Sequence, residues 1–180
     1  MCRIILFSGI SFILGGLLVG GVFCFNQKKA SVATTKSKII YSTQKTEGYY
    51  FPTHNNLLVM DRSNAEVAEV FIVEVAPNKQ THRHIHNDTE QLFYVLSGKG
   101  KLILEREDKM ENYTLESTNV VHIPRNCFHQ VFCEGADSLR YLAIDCFPLG
   151  KNTNEPTWDD HAKAICSLNG WDYSKARIKP

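Results

Sequence analysis

Between Leu57 and Cys146 the chain carries strand signals in seven short runs: Leu57 to Met60, Glu69 to Val75, Gln91 to Leu96, Lys101 to Glu105, Asn119 to Ile123, His129 to Cys133 and Leu139 to Cys146. Runs this short, rich in β-branched, aromatic and other apolar side chains, favour extended backbone. Strands this short, separated by turn residues, argue for an antiparallel barrel or sandwich. Asp108-Lys109-Met110 and Gly135-Ala136-Asp137-Ser138 read as hairpin tips. Near the end, Pro156-Thr157-Trp158-Asp159-Asp160 has the form of a helix start and Gly170 of its stop, which predicts a helix over 157–169. Trp158, Ala162, Ile165 and Leu168 share one face of that helix and are expected to pack on the outside of the barrel. No internal repeat or second globular domain is visible.

Within this pattern, His84 and His86 stand two residues apart and project together from an extended segment. After a turn over 87–90, Gln91 opens the next strand with Phe93 and Val95 on its own face and Glu90 on the other. His129 follows Ile123-Pro124-Arg125-Asn126-Cys127-Phe128 and opens a further strand. Three imidazoles and an amide oxygen can close around one divalent ion, so His84, His86, Gln91 and His129 are the expected metal ligands. Nitrogen-rich ligation with open positions suits Zn, Ni, Fe, Co or Mn and does not choose among them. A one-residue register shift would put Glu90 in the place of Gln91.

These residues resemble the two motifs of the cupin superfamily, G(x)5HxH(x)3,4E(x)6G and G(x)5PxG(x)2H(x)3N. Asn78 stands where the first Gly belongs; His84, His86 and Gly98 match, and Gln91 replaces the Glu. Pro124 and His129 match in the second motif, while Thr118, Asn126 and Cys133 depart from it. Asn is the non-Gly residue most at ease with positive φ, so Asn78 and Asn126 can hold turns that Gly would hold. The resemblance spans about residues 68 to 148 and implies an all-β, cupin-type antiparallel β-barrel, a double-stranded β-helix or jelly roll. It extends to cupins similar to the pectin-degradation proteins, which use a His, His, Gln, His set and open unsaturated uronate sugars.

A Gln ligand is neutral where a Glu would bring a negative charge. Three neutral imidazoles and an amide leave an ion its full +2, which polarises a carbonyl or acidifies a bound water more strongly. Of the other histidines, His82 shares parity with His84 and His86 and reads either as a group at the barrel mouth or as a solvated loop residue. His122 is expected to face outward, and His54 and His161 read as surface residues. Tyr94 and Arg83 alternate away from the ligand face.

The start of the chain is of a different kind. Ile4 to Phe25 are 22 consecutive uncharged, mostly apolar positions, flanked by Arg3 and by Lys28-Lys29. That length at about 1.5 Å per residue spans a bilayer's hydrocarbon core. Gly15-Gly16, Gly20-Gly21 and the small residues Ser31-Val32-Ala33 equally suit a cleaved signal. The expected organisation is therefore a signal peptide or membrane anchor over 1–27, a flexible tether over 28–48 and a cupin domain over 49–180. It acts outside the cytoplasm, whether membrane-anchored, periplasmic or secreted. The formal charge is +1, with no basic field for nucleic acid. Export permits disulfides, and a hairpin turning at Ala136 and Asp137 would set Cys127 opposite Cys146.

Together these features point to a metal-binding protein with a small-molecule substrate. A metalloenzyme on an oxygen-rich compound, of the sugar-acid isomerase or ring-opening type, is the first expectation; a metal-dependent dioxygenase and a non-catalytic ligand-binding barrel are the alternatives. No catalytic acid or base is identifiable by motif. Membrane association through the N-terminal segment and a homodimer are left open.

Overall fold

The computed structural model describes residues 38–44, 46–107 and 109–178. The apolar run at 4–25, and the signal or anchor expected there, lies outside these residues. No described helix is long and apolar enough to cross a membrane. The described strands are β1 (Glu47–Tyr50), β2 (Asn55–Met60), β3 (Ala68–Val75), β4 (Glu90–Ser97), β5 (Lys99–Arg106), β6 (Lys109–Glu116), β7 (Val120–Ile123), β8 (Phe128–Cys133), β9 (Leu139–Cys146) and β10 (Arg177–Ile178). Two helices, α1 (Trp158–Asn169) and α2 (Tyr173–Ala176), precede β10. Every ladder is antiparallel: one sheet runs β10-β1-β2-β3-β9-β4-β7 and the other β6-β5-β8. Their inner faces share one core, so the fold is a jelly-roll barrel.

Each of the seven expected strands is present within two residues of its predicted ends. The chain adds β1, β6 and β10, which periodicity did not reveal. In β6 only Leu115 is buried, so an edge strand with polar residues on both sides carries no alternation to read. The register places the inward-facing residues in rows across the large sheet. Phe71, Ala143, Phe93 and Val121 form one row, and Glu69, Asp145, Gln91 and Ile123 form the next. One end of the barrel interior is thus apolar and the other holds a line of polar groups.

Two expectations are corrected. Strands β8 and β9 belong to different sheets, so the turn at Ala136 and Asp137 closes no ladder. Cys146 sits opposite Ala68 and Glu90, and Cys127, Cys133, Cys146 and Cys166 are free thiols. Helix α1 does not lie on the outside of the barrel. Thr157 caps its N-terminus, accepting from the Asp160 amide at 3.2 Å, and Gly170 at φ 67° ends it. The Trp158 amide donates to Asp61 at 2.9 Å, which turns the first residue inward, where its ring packs on Phe71 and Tyr49. The helix is a roof over the barrel's polar end.

Asn78 and Asn126 do adopt positive φ, 58° and 61°. Thr118 does so as well, at 74°, a conformation that crowds a β-branched side chain. Replacing Thr118 by Gly should therefore stabilise the protein by about 1 kcal/mol, seen as a rise in thermal midpoint of about 3 °C. An unchanged or lower midpoint would show that the turn stores no strain.

Candidate metal centre

Three separate stretches of backbone build the centre. Residues 80–86 run beside β8: Thr81 donates to the Val131 carbonyl at 2.8 Å, and His84 and His129 exchange both backbone hydrogen bonds, at 3.1 and 2.8 Å. Such a pair sets its side chains next to each other. The two imidazole centroids are 4.1 Å apart, and that of His86 lies 4.9 Å from His84 and 5.4 Å from His129. The Asn126 amide donates to the His86 carbonyl at 2.8 Å and so ties the loop before β8 to the same stretch. One ligand atom from each of the three histidines can be chosen so that all lie within 4.8 Å of one another. His84, His86 and His129 can hold a metal ion.

The ring nitrogens are arranged for that purpose. His84 Nδ1 bonds the His82 carbonyl at 2.9 Å and His129 Nδ1 the Cys127 carbonyl at 3.1 Å. A carbonyl only accepts, so Nδ1 carries the proton and Nε2 keeps its lone pair. Burial, and then the neighbouring imidazoles, push His84 well below its ordinary pKa and bring His86 to about 3. Burial lowers His129 to about 4, against the opposing effect of its bond to Cys127. All three rings are neutral at physiological pH, which is the ligating form.

Gln91, expected to complete the set, lines the same cavity from β4 and is buried. Glu90 points to the other face, 3.7 Å from His122, and both side chains are about half exposed. The register therefore keeps Glu90 out of the barrel, and His122 faces outward as predicted. Three buried atoms at the centre have no hydrogen-bond partner: His86 Nε2, His129 Nε2 and Gln91 Oε1. Leaving such groups unsatisfied costs about 1–3 kcal/mol each, whereas a divalent ion would satisfy them together. The donor set fits a transition metal.

Around these donors lies a cavity of about 150 Å³. Its walls are Phe71, Phe93, Tyr141 and Trp158 together with Val73, Val131 and Ile165, and it contains no Lys or Arg. Several lining groups were invisible in the sequence. Asp145 is 3 % exposed, with Oδ1 unpartnered. Burial and the nearby Glu69 charge raise its carboxyl well above the usual range, while a hydrogen bond from Gln91 and the charge of Arg62 oppose them. Glu69 is in turn held by Arg62 through two bonds of 2.7 Å. His82, His54 and His161 also line the cavity. The surface reading of His54 and His161 is thus overturned, and of the two readings of His82 the structure shows the one at the cavity. His161 sits three residues after Trp158 and four before Ile165, a polar residue within the apolar stripe of α1, and that was the available signal. Arg83, paired with Glu105 at 2.8 Å, and Tyr94, 42 % exposed, lie outside.

A jelly-roll barrel with neutral histidines converging inside its polar end defines a class of small β-barrels able to hold a metal ion. The family described as "Cupin domain" matches residues 71–145, which contain every expected ligand. Residues 71–145 of the chain are thus a cupin domain. No curated protein matches it significantly. Among solved structures it is similar to the formate complex of oxalate decarboxylase from Lactobacillus farciminis, with a TM-score of 0.53 at 17 % identity, over 74 % of this chain and 42 % of that one. It thus spans less than half of that enzyme's length. A predicted oxalate decarboxylase from Thermotoga maritima gives a TM-score of 0.54 at 12 % identity, covering 61 % of this chain and 99 % of that one. The polyketide cyclase RemF from Streptomyces resistomycificus gives 0.51 at 21 % identity, covering 64 % and 84 %. At these identities the likeness is one of fold.

Proposed function

We propose that the protein is a metal-dependent enzyme acting on a small, enolisable oxygen compound. The observation that carries this reading is the convergence of three unpartnered donor atoms, His86 Nε2, His129 Nε2 and Gln91 Oε1, in a cavity that also contains a buried carboxyl group. His84, His86, Gln91 and His129 would hold the ion. Bound there, it would act as a Lewis acid toward a carbonyl or enol oxygen, with its charge undiminished by any anionic ligand. The chain's own residues do the rest: α1 roofs the cavity, the aromatic walls exclude water, and Asp145 supplies a carboxyl able to exchange protons with a bound molecule.

The walls also bear on the substrate. A uronate carries a carboxylate and several hydroxyls, yet this lining offers four aromatic rings and no Lys or Arg. The chemistry suggested by the sequence, proton movement beside a polarised carbonyl, is kept. A flatter and less hydroxylated substrate than a sugar acid suits the cavity better. Action outside the cytoplasm belongs to the same proposal and is supported by the apolar run at 4–25.

The test is metal analysis of freshly isolated protein, followed by turnover assays on unsaturated uronates and on simple enolisable ketones. Loss of enol absorbance without O2 uptake is expected; O2 uptake would point to the dioxygenase instead. Gln91→Ala should weaken metal binding by about tenfold, because one donor is lost from the set. Metal affinity unchanged in that variant would leave Gln91 as cavity wall only.

A further inference from the structure

His161 and Glu155 form a pair that the metal centre does not use. His161 Nδ1 lies 2.5 Å from Glu155 Oε2, and both side chains are about four-fifths buried. Glu155 is itself held on its other side, where Asn152 donates to Oε1 at 3.0 Å and Arg62 approaches Oε2 at 3.5 Å. Arg62 is fixed in turn by its two hydrogen bonds to Glu69. A carboxylate secured in this way orients the ring and stabilises charge on it. With Nδ1 engaged by Glu155, Nε2 is the free nitrogen. The ring lies tilted beside Trp158, with centroids 5.3 Å apart, and lines both the cavity of the three histidines and the adjoining recess formed with His86, Asp145 and Asn152. The metal donors are on the barrel strands, whereas this imidazole hangs from the roof.

We infer that His161 is a catalytic acid–base group of this site, with Glu155 as its positioning residue. The inference rests on the enzymatic reading above. The step is a proton transfer: Nε2 takes the proton from the carbon next to the substrate carbonyl, so the ring becomes an imidazolium and the substrate an enolate carrying the electron pair of the broken C–H bond. On an α-hydroxy carbonyl compound, returning that proton to the former carbonyl carbon while the hydroxyl proton passes to the enolate oxygen restores the neutral ring and yields the isomer, with no atom or electron gained or lost. The Nδ1–H bond to Glu155 persists throughout and is strongest when the ring is charged.

The test uses the full chain loaded with Zn2+ and acetohydroxamate as the probe, a small planar molecule with the two-oxygen edge of an enediolate. Nitrogen NMR of wild type should find a His161 proton on Nδ1, facing Glu155, and should show the ring signals shifting when acetohydroxamate binds. His161→Gln should bind equimolar Zn2+ as wild type does but hold acetohydroxamate about tenfold more weakly, the worth of one hydrogen bond to the probe. Glu155→Gln should keep the tautomer, since an amide oxygen still accepts from Nδ1, and Glu155→Ala should lose it. A wild-type His161 protonated on Nε2, or equal acetohydroxamate affinity in His161→Gln, overturns the assignment. Failure of wild type to bind Zn2+ would sink the metalloenzyme reading separately, and the tautomer would still decide the state of the dyad.

Discussion

His129→Ala is expected to lower divalent-metal affinity by more than about a hundredfold, beyond the range typical of losing a mere supporting residue. His129 is 2 % exposed, and its backbone and ring are both fixed, the first by His84 and the second by the Cys127 carbonyl. Removing its imidazole leaves His84 and His86 as the only nearby nitrogen donors of the triad. Isothermal titration with Zn2+ or Ni2+ reads the loss directly, and retention of wild-type affinity would show that the triad does not bind metal. A pH dependence accompanies the same geometry. The folded pKa values of all three histidines lie below the unfolded value of about 6.5, so below that pH the unfolded chain binds protons that the folded chain refuses. Stability of the chelator-treated protein is thus full above about pH 6.5 and falls as the pH drops toward the folded values near 3 to 4. Urea midpoints of that protein across this window should decline, and midpoints independent of pH would contradict the burial of neutral rings.

Arg62→Met should cost about 3–5 kcal/mol of folding stability, the largest effect expected outside the metal ligands. Arg62 and Glu69 are 2 % and 0 % exposed and joined by two bonds of 2.7 Å. Asp145 lies directly across the ladder from Glu69. Without the guanidinium, two buried carboxyl groups face each other with no cation between them, and Glu155 loses one of its supports. The cost comes mostly from the stranded partners, so Arg62→Met combined with Glu69→Leu should recover part of it. Denaturant unfolding of the single and double variants measures both terms. A single-variant loss below about 1 kcal/mol would show that water reaches the pair and screens it.

Much of the barrel was legible because its strands are short, largely apolar runs bounded by turn residues. In β9 Leu139, Tyr141, Ala143 and Asp145 are buried and Arg140, Leu142, Ile144 and Cys146 half-buried, so local sequence marked the strand but not its inner face. Beside the histidines, strand parity placed Gln91 inside and Glu90 outside. What parity could not convey is which strand lies beside which. Cys127 and Cys146 read as opposite partners only if β8 and β9 form a hairpin, and their division between two sheets is a property of the whole roll. Edge strand β6, polar on nearly every residue, left no signal to follow.

The local order of residues determined the strands of the barrel, the pairing of His84 with His86 on one side of an extended segment, and the positive-φ turns at Asn78 and Asn126, because each depends only on backbone geometry over a few positions. Tertiary structure alone decided that Asp145 stands beside Gln91, that Arg62 reaches Glu69, and that α1 swings over the barrel's polar end to bring His161 and Glu155 into the cavity. Those groups are polar, and a polar residue in a sequence is by default solvated; only the packing of distant segments around it can take its water away and turn it into chemistry.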